Sequence, residues 1–513
     1  MERSIAACLA LMATFLAGCA GLPSLEGRTE TRALTGTEGT RIGRAIAPEL
    51  AAHPGKTGIY AIPQPSDAFA ARALLAAAAD RSLDVQYYIW HGDETGWLLF
   101  EALWGAAQRG VRVRLLLDDN GVSGLDDTLA ALDAHPNIEV RLYNPFAQRG
   151  AARALGYVTD FTRINRRMHN KSFTADNRTT IVGGRNVGNE YFGAGREVVF
   201  EDLDVVAIGQ AVHEVSAAFD LYWNSASAYP AALIVGAAWP QGAARLESDF
   251  AAARADPESV QYVRALRDTP LVNELLAGRL PFEWADAQLV RDDPAKTLDT
   301  TGRTDVLLLA ELLRTTVQPK KSFDLISPYF VPGKEGTEAL AALAQRGVAV
   351  RVLTNSLAAT DVSAVHAGYA KRREDLLRAG VRLFELKPTA ERDAPGGRRA
   401  SGSSSASLHA KTFALDRSRT FVGSFNFDPR SALLNTEMGL LIDSAALGER
   451  LAAVLENDVP RVAYEVGLTA GGELQWTERT ASGETRHDTE PGAGPLRRAW
   501  IRFLELLPIE WLL

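Results

Sequence analysis

The sequence predicts an α/β fold built twice, with two copies of one α/β unit related by a pseudo-two-fold axis around a single shared active site. Three observations carry this expectation. Alanine- and leucine-rich helical stretches (70–80, 98–109, 338–346) alternate with β-branched runs (111–117, 348–353), the rhythm of a layered α/β protein. The second half repeats the first at a near-constant offset. A short polar pattern occurs once in each copy, in register with that repeat.

Taken in order, residues 1–18 read as a leader. The apolar run 4–18 is too short for a membrane span and fits a secretory segment. It ends in Leu16-Ala17-Gly18-Cys19, which resembles a bacterial lipobox, so Cys19 is the expected lipidation site. Ala20, rather than Asp, follows it. The lipoprotein resemblance then implies the periplasmic face of the outer membrane of a Gram-negative cell. The other cysteine, Cys8, lies inside the leader, which excludes a disulfide framework and a cysteine-built metal site in the mature chain. Residues 19–57 read as a tether, 58–209 as the first unit and 210–300 as a mostly helical connecting insert. Residues 301–494 read as the second unit and 495–513 as an amphipathic C-terminal segment.

The chain of 513 residues exceeds one ordinary core, and 46% hydrophobic with 23% charged residues excludes wholesale disorder. A net charge of −8 argues against a broad nucleic-acid surface. The duplication is read from three pairs of segments. Asp84 in LDVQYYIW matches Asp324 in FDLISPYF. Gly110 in AAQRGVRVRLLLDD matches Gly347 in ALAQRGVAVRVLTN. Arg141 in IEVRLYNPF matches Arg382 in VRLFELKP. The low-complexity run 389–406 is expected to be a mobile loop, placed where a lid over the second motif would sit.

The repeated pattern is H-x-K-x4-D-x6-G-[GS]-x-N. It starts at His169 and His409 and includes Lys171 and Lys411, Asp176 and Asp416, Gly184 and Ser424, and Asn186 and Asn426. Residues i and i+2 of an extended segment share a face, so each His and its Lys project together. A neutral imidazole is a nucleophile, and its protonated form is an acid. An ammonium beside it holds a non-bridging phosphate oxygen, and the glycine turn with its Asn adds donors. Two copies facing each other make one site for phosphodiester chemistry, with no cofactor and no metal required. Asp176 and Asp416 fall off the reactive face and are expected to support the fold. An imidazole nucleophile also needs an orienting acceptor on its other nitrogen. Asp202 and Glu437, each before a hydrophobic strand, are the candidates, with Glu190 the rival in the first copy. Of the other histidines, His366 is the likeliest to have a role beyond structure.

With these motifs in view the chain resembles the phospholipase D superfamily, and within it the bacterial cardiolipin synthases. The runs NRRMHNKSFT, VGGRN, LHAKTF and VGSFNFDPRSALLNTEMG carry the resemblance, which extends from about residue 58 to the C-terminus. It implies two phospholipase D-like domains packed motif to motif and a phosphatidyltransferase working through a phosphohistidine. It implies His169 as nucleophile and His409 as acid, then base. Lys171, Lys411, Asn186 and Asn426 would hold the phosphate oxygens. By the cross-pairing of that family, Glu437 would orient His169 and Asp202 would orient His409. Gly184 stands where many relatives carry Ser. The implied reaction makes cardiolipin from phosphatidylglycerol and a second phospholipid, phosphatidylethanolamine or phosphatidylglycerol. The implied partners are phospholipids and a membrane surface rather than nucleic acid. The same residues with water as acceptor would make a phospholipase D-type hydrolase, and a third reading is a lipid-binding lipoprotein without activity. Acceptor choice turns on what excludes water, which the motifs do not encode.

Overall fold

A computed structural model describes residues 21–195, 198–276, 280–298, 307–316, 318–388, 406–480 and 483–513. Cys19 with its apolar leader, and the expected lid at 389–405, lie outside the described residues.

Each half is a mixed sheet with helices against it, and the strand order is the same in both. In the first half it runs Thr57–Ile62, Asp204–Gly209, Thr179–Gly183, Ser172–Ala175, Ser82–Ile89, Arg112–Gly121, Ile138–Tyr143 and Ala228–Pro230. In the second it runs Glu283–Arg291, Met438–Asp443, Arg419–Gly423, Lys411–Leu415, Ser322–Ile326, Ala349–Asn355, Arg382–Leu386 and Ala463–Leu468. Only the fifth, sixth and seventh strands of each list run parallel to one another. A buried fork of two bonds repeats with them: Arg114 on Asp84 at 2.7 and 2.8 Å, and Arg351 on Asp324 at 2.6 and 2.9 Å. Planar guanidinium-to-carboxylate pairing ties neighbouring strands in a fixed register, and it recurs because the unit was copied.

The segment read as a helical connection, 210–300, divides differently in the structure. Gln210–Trp223 packs on the first sheet, as Ala445–Ala453 does on the second, so this helix closes the first unit. The helices Gly242–Ala255, Pro257–Leu266 and Pro270–Leu276 are the true insert, and Leu246, Phe250, Leu266 and Leu271 bury into the first core. Glu283–Arg291 is a strand, not a connection, and it opens the second unit upstream of position 301. Glu283, Trp284 and Ala285 pair with the first sheet, and Asp286–Arg291 pair with the second. Its alternation of buried and exposed residues is short and interrupted by charge, which hid it among helical neighbours.

The halves meet through a dry core. Val182, Val205 and Ala207 of the first pack with Val422, Leu440 and Ile442 of the second. These residues lie on the strands that flank the two motifs, so apolar burial sets the motifs opposite each other.

Candidate active site

Each motif histidine sits in an extended stretch just before a hairpin strand, Ser172–Ala175 or within reach of Lys411–Leu415. Each is anchored by the other half. The His169 N–H donates to the Thr436 carbonyl at 2.8 Å, and the His409 N–H donates to the Glu201 carbonyl at 2.8 Å. Thr436 and Glu201 immediately precede Glu437 and Asp202, so one backbone bond delivers a carboxylate from one half to the imidazole of the other.

The result is crossed. His169 Nδ1 lies 2.8 and 3.0 Å from the Glu437 carboxylate oxygens. His409 Nδ1 lies 2.6 Å from Asp202 Oδ2. Both imidazoles and both acids are buried. A carboxylate on Nδ1 fixes the proton there and leaves Nε2 with its lone pair free for the reacting atom. Glu190, the alternative for His409, instead pairs with His91 Nδ1 at 3.1 Å.

The lysines are folded back beside their histidines. Lys171 Nζ donates to the His169 carbonyl at 2.6 Å, while Lys411 Nζ donates to the His409 carbonyl and lies 2.8 Å from His409 Nδ1. Burial lowers Lys171 to about 7 and Lys411 to about 8, against the pull of the neighbouring carboxylates. Burial, with the two lysines adding to it, also holds His169 well below its ordinary value and His409 at about 4. Both imidazoles are therefore neutral near pH 7. The two lysines share this buried space with the Asp202 and Glu437 carboxylates, so the site is a compact cluster of interacting charges.

Asn186 donates to the Tyr191 hydroxyl at 3.0 Å and accepts from the Ile89 N–H at 3.2 Å. Asn426 leaves its Oδ1 buried without a partner. Aromatic rings wall both imidazoles: Tyr88 edge-on to His169 at 5.0 Å, and Tyr191 edge-on and Phe200 stacked on His409 at 5.1 and 5.0 Å. Tyr88 and Phe200 also line an open cavity of about 900 Å³. Gly184 is required by the geometry. A Cβ there would stand 2.2 Å from Asp202 Oδ1, whereas Ser424 at the matching position donates its hydroxyl to Glu437.

The motif aspartates bind backbone in two matching hairpin turns. Asp176 sits at φ +53° in a hairpin turn and accepts from the N–H groups of Asp80, Arg81 and Ser82. Asp416 sits at φ +51° and accepts from Lys320, Lys321 and Ser322. His366 lies in a buried network with Glu490 and Arg373, away from the motifs.

Three supports escaped the sequence reading. Asp118 accepts from the Met168 N–H at 2.8 Å and binds Arg167, and its repeat equivalent Asn355 makes two bonds to the Leu408 backbone. Each holds the residue before a motif histidine; Asp118 lies within its strand and Asn355 ends the matching one. Asp292 accepts from the Glu437 N–H at 2.7 Å and pairs with buried Lys296 at 3.0 Å. At the cavity wall, His91, Asp93 and Glu190 bring one ligand atom each within 4.8 Å of one another, a small cluster among the described residues that the sequence reading did not find. Both Asp93 oxygens there already accept backbone N–H groups, from Gly96 and Asn189.

The family model described as cardiolipin synthase, PLD-like domain, matches residues 72–223 and again 312–459. This chain belongs to the phospholipase D-like cardiolipin synthase family. The two matched stretches are the two halves of the duplication, and each holds one of the histidines. Among relatives of this family, cardiolipin synthase C of Escherichia coli (strain K12) is 47% identical over 92% of this chain and 100% of its own length. Cardiolipin synthase A of Pseudomonas syringae is 26% identical over 77% of this chain and 67% of its own. Among solved structures, phosphatidylserine synthase of Haemophilus influenzae superposes over 92% of this chain and all of its own, with a TM-score of 0.53 at 13% identity. That likeness shows a shared fold with two α/β halves.

Proposed function

We propose that this chain is a phosphatidyltransferase that makes cardiolipin from phosphatidylglycerol and a second phospholipid, phosphatidylethanolamine or phosphatidylglycerol. The observation that carries the reading is the crossed pair of carboxylate-bound imidazoles flanked by two buried lysines. The names of the cardiolipin synthase relatives support the product.

The chemistry follows from the geometry. His169 Nε2 attacks the donor phosphorus, and the bond from phosphorus to the headgroup oxygen breaks. His409 gives its proton to the departing alkoxide, and the phosphatidyl group rests on His169. The terminal hydroxyl of phosphatidylglycerol then yields its proton to His409 as its oxygen attacks phosphorus, and the P–N bond breaks. The bound phosphodiester, with Asp202, supplies the negative charge that lets His409 hold a proton against the pull of burial. Lys171, Lys411, Asn186 and Asn426 hold the non-bridging oxygens, so the charge that builds in the transition state is met without a metal ion.

Trapping with substrate at low pH and mapping the modified peptide by mass spectrometry tests this, with the adduct expected on His169. An adduct on His409 alone reverses the roles. Water in place of the second alcohol gives phosphatidic acid, so the cardiolipin to phosphatidic acid ratio of the same reaction separates transferase from hydrolase. The reading also places the mature protein on the periplasmic face of the outer membrane through a lipid on Cys19, supported by the lipobox-like leader.

A further inference from the structure

The C-terminal helix Pro495–Glu505 divides its apolar residues between two stripes. Ile501 and Leu504 turn inward onto Leu357 and Ala367. Leu496, Trp500 and Phe503, expected from the sequence to share a face with Leu504, turn outward instead and are 87%, 52% and 50% exposed. Trp500 and Phe503 stack at 5.4 Å in the open, and Leu506 and Trp511 beyond them are exposed as well. A second helix, Arg153–Thr159, is also unpaired on its outer face, with Leu155 and Val158 58% and 85% exposed and Phe161 following. Single exposed apolar residues are ordinary, but two helices with contiguous ones mark a surface meant to be covered.

The end of the chain and the turn that follows the second helix meet at one arginine. The Arg430 N–H donates to the Leu513 carbonyl at 2.7 Å, and its guanidinium reaches the Leu512 carbonyl and both oxygens of Asn165. Asn165 caps the turn of helix Phe161–Ile164. From the other helix, the Tyr157 hydroxyl donates to Asn120 at 2.7 Å. The Asn120 amide lies 3.3 Å from the Tyr88 hydroxyl, and Tyr88 borders His169. Three side chains thus separate this surface from the proposed nucleophile.

We infer that helix Arg153–Thr159 and the C-terminal segment 495–513 form one docking surface for an anionic lipid bilayer, set around the entrance to the active site. Charge selects this occupant. The chain carries a net −8, yet the terminal helix exposes Arg502 beside Trp500 and Phe503, while Arg497 and Arg498 are half-buried at its start with their guanidinium groups on the Thr360 and Ala493 carbonyls. Trp and Arg side by side suit the headgroup layer, where rings bury and guanidinium groups meet phosphates. A second copy of the chain packed on this face would set Arg502 against itself. Among the described residues no helix is long and apolar enough to cross a membrane, so this surface lies on a bilayer rather than in it. The inference rests on the lipid-substrate reading in one respect: a site at the headgroup layer lets the phosphate reach His169 while the acyl chains stay in the membrane.

The test uses the full chain carrying Cys19→Ser, so that no acyl anchor contributes. Vesicles of phosphatidylglycerol with phosphatidylethanolamine are compared with vesicles of phosphatidylcholine. Two variants are made, Leu155→Ser with Val158→Ser, and Trp500→Ser with Phe503→Ser. Each is expected to lose at least about tenfold in binding to the anionic vesicles, and the parent to bind phosphatidylcholine more weakly. Turnover of short-chain, monomeric phosphatidylglycerol and the thermal midpoint should stay at parental values, which shows the variants are folded. Binding within about twofold of the parent for both variants overturns the inference. So does a parental dimer in sedimentation that the variants break while vesicle binding is unchanged. A parent that binds vesicles but never turns over short-chain lipid keeps this surface and refutes the proposed reaction, so the two fail separately.

Discussion

The two histidine–carboxylate pairs are built on one copied frame and tuned in opposite directions. Although burial raises it, contact with His409 and Lys411 brings the Asp202 carboxyl well below the usual range. Burial pushes Glu437 up to about 7, and neither Lys171 nor the Ser424 hydroxyl offsets it. At neutral pH His409 therefore faces a fixed anion, and His169 faces a carboxyl whose charge depends on what binds beside it. A fixed anion stabilises an imidazolium, which suits the residue that shuttles protons. A partner that is only partly ionised leaves the other imidazole neutral until positive charge develops on it, which suits the nucleophile we propose. The packing around the two acids differs as well. Asp202 occupies the space that a Cβ at Gly184 would need, while Ser424 fills the matching space and clamps a longer acid.

The most severe test removes the negative charge from each pair. Asp202→Asn is expected to lower kcat by roughly 10³–10⁴, because it withdraws the counter-charge of the proton shuttle and disturbs the tautomer. Glu437→Gln keeps an acceptor for His169 Nδ1–H and is expected to cost roughly tenfold less. Equal losses would break the comparison. The pH profile of kcat/KM sharpens it. Lys171 and Lys411 lose their protons as pH rises through about 7 to 8, so the rate should fall on that side. Glu437 gains a proton as pH falls through about 7, so the parent should also fall on the acid side. These groups interact, and the limbs belong to the cluster. Glu437→Gln should lose the acid limb and keep the basic one.

What was legible in the sequence was whatever repeats or alternates locally. His169 and His409, their lysines and the two acids stand at matching positions of the duplication, so one copy annotates the other. The strand Glu283–Arg291 was not legible, because its partners lie in both sheets and its own charge pattern does not alternate cleanly. Asp292 was missed for the same reason. Its worth comes from Glu437, 145 positions away, and nothing near it in the chain announces a buried acid. Asp118 and Asn355 were readable in principle as polar residues at matching positions of buried strands in both copies, but they differ in type and so do not look like a motif.

The smallest expected difference concerns the two motif aspartates, which make the same three backbone bonds in different surroundings. Asp176 is fully buried, while Asp416 is half-buried and receives its bonds beside exposed Lys320 and Lys321. Both sit at positive φ, where Asn is tolerated and Ala is not, so Asp→Asn isolates the carboxylate from the turn. At Asp176 the lost charge leaves buried N–H groups with a weaker acceptor and no water to replace it. Asp176→Asn should cost about 2–3 kcal/mol. At Asp416 solvent takes over part of the role, and Asp416→Asn should cost about 1 kcal/mol or less. Thermal unfolding of the two variants checks the order, with the midpoint falling further for Asp176→Asn. Turnover measured well below either midpoint should match the parent, since neither side chain reaches the imidazoles. A larger drop at Asp416, or a loss of turnover in a folded variant, would mean that the copied turn does more in the second half than hold the start of strand Ser322–Ile326.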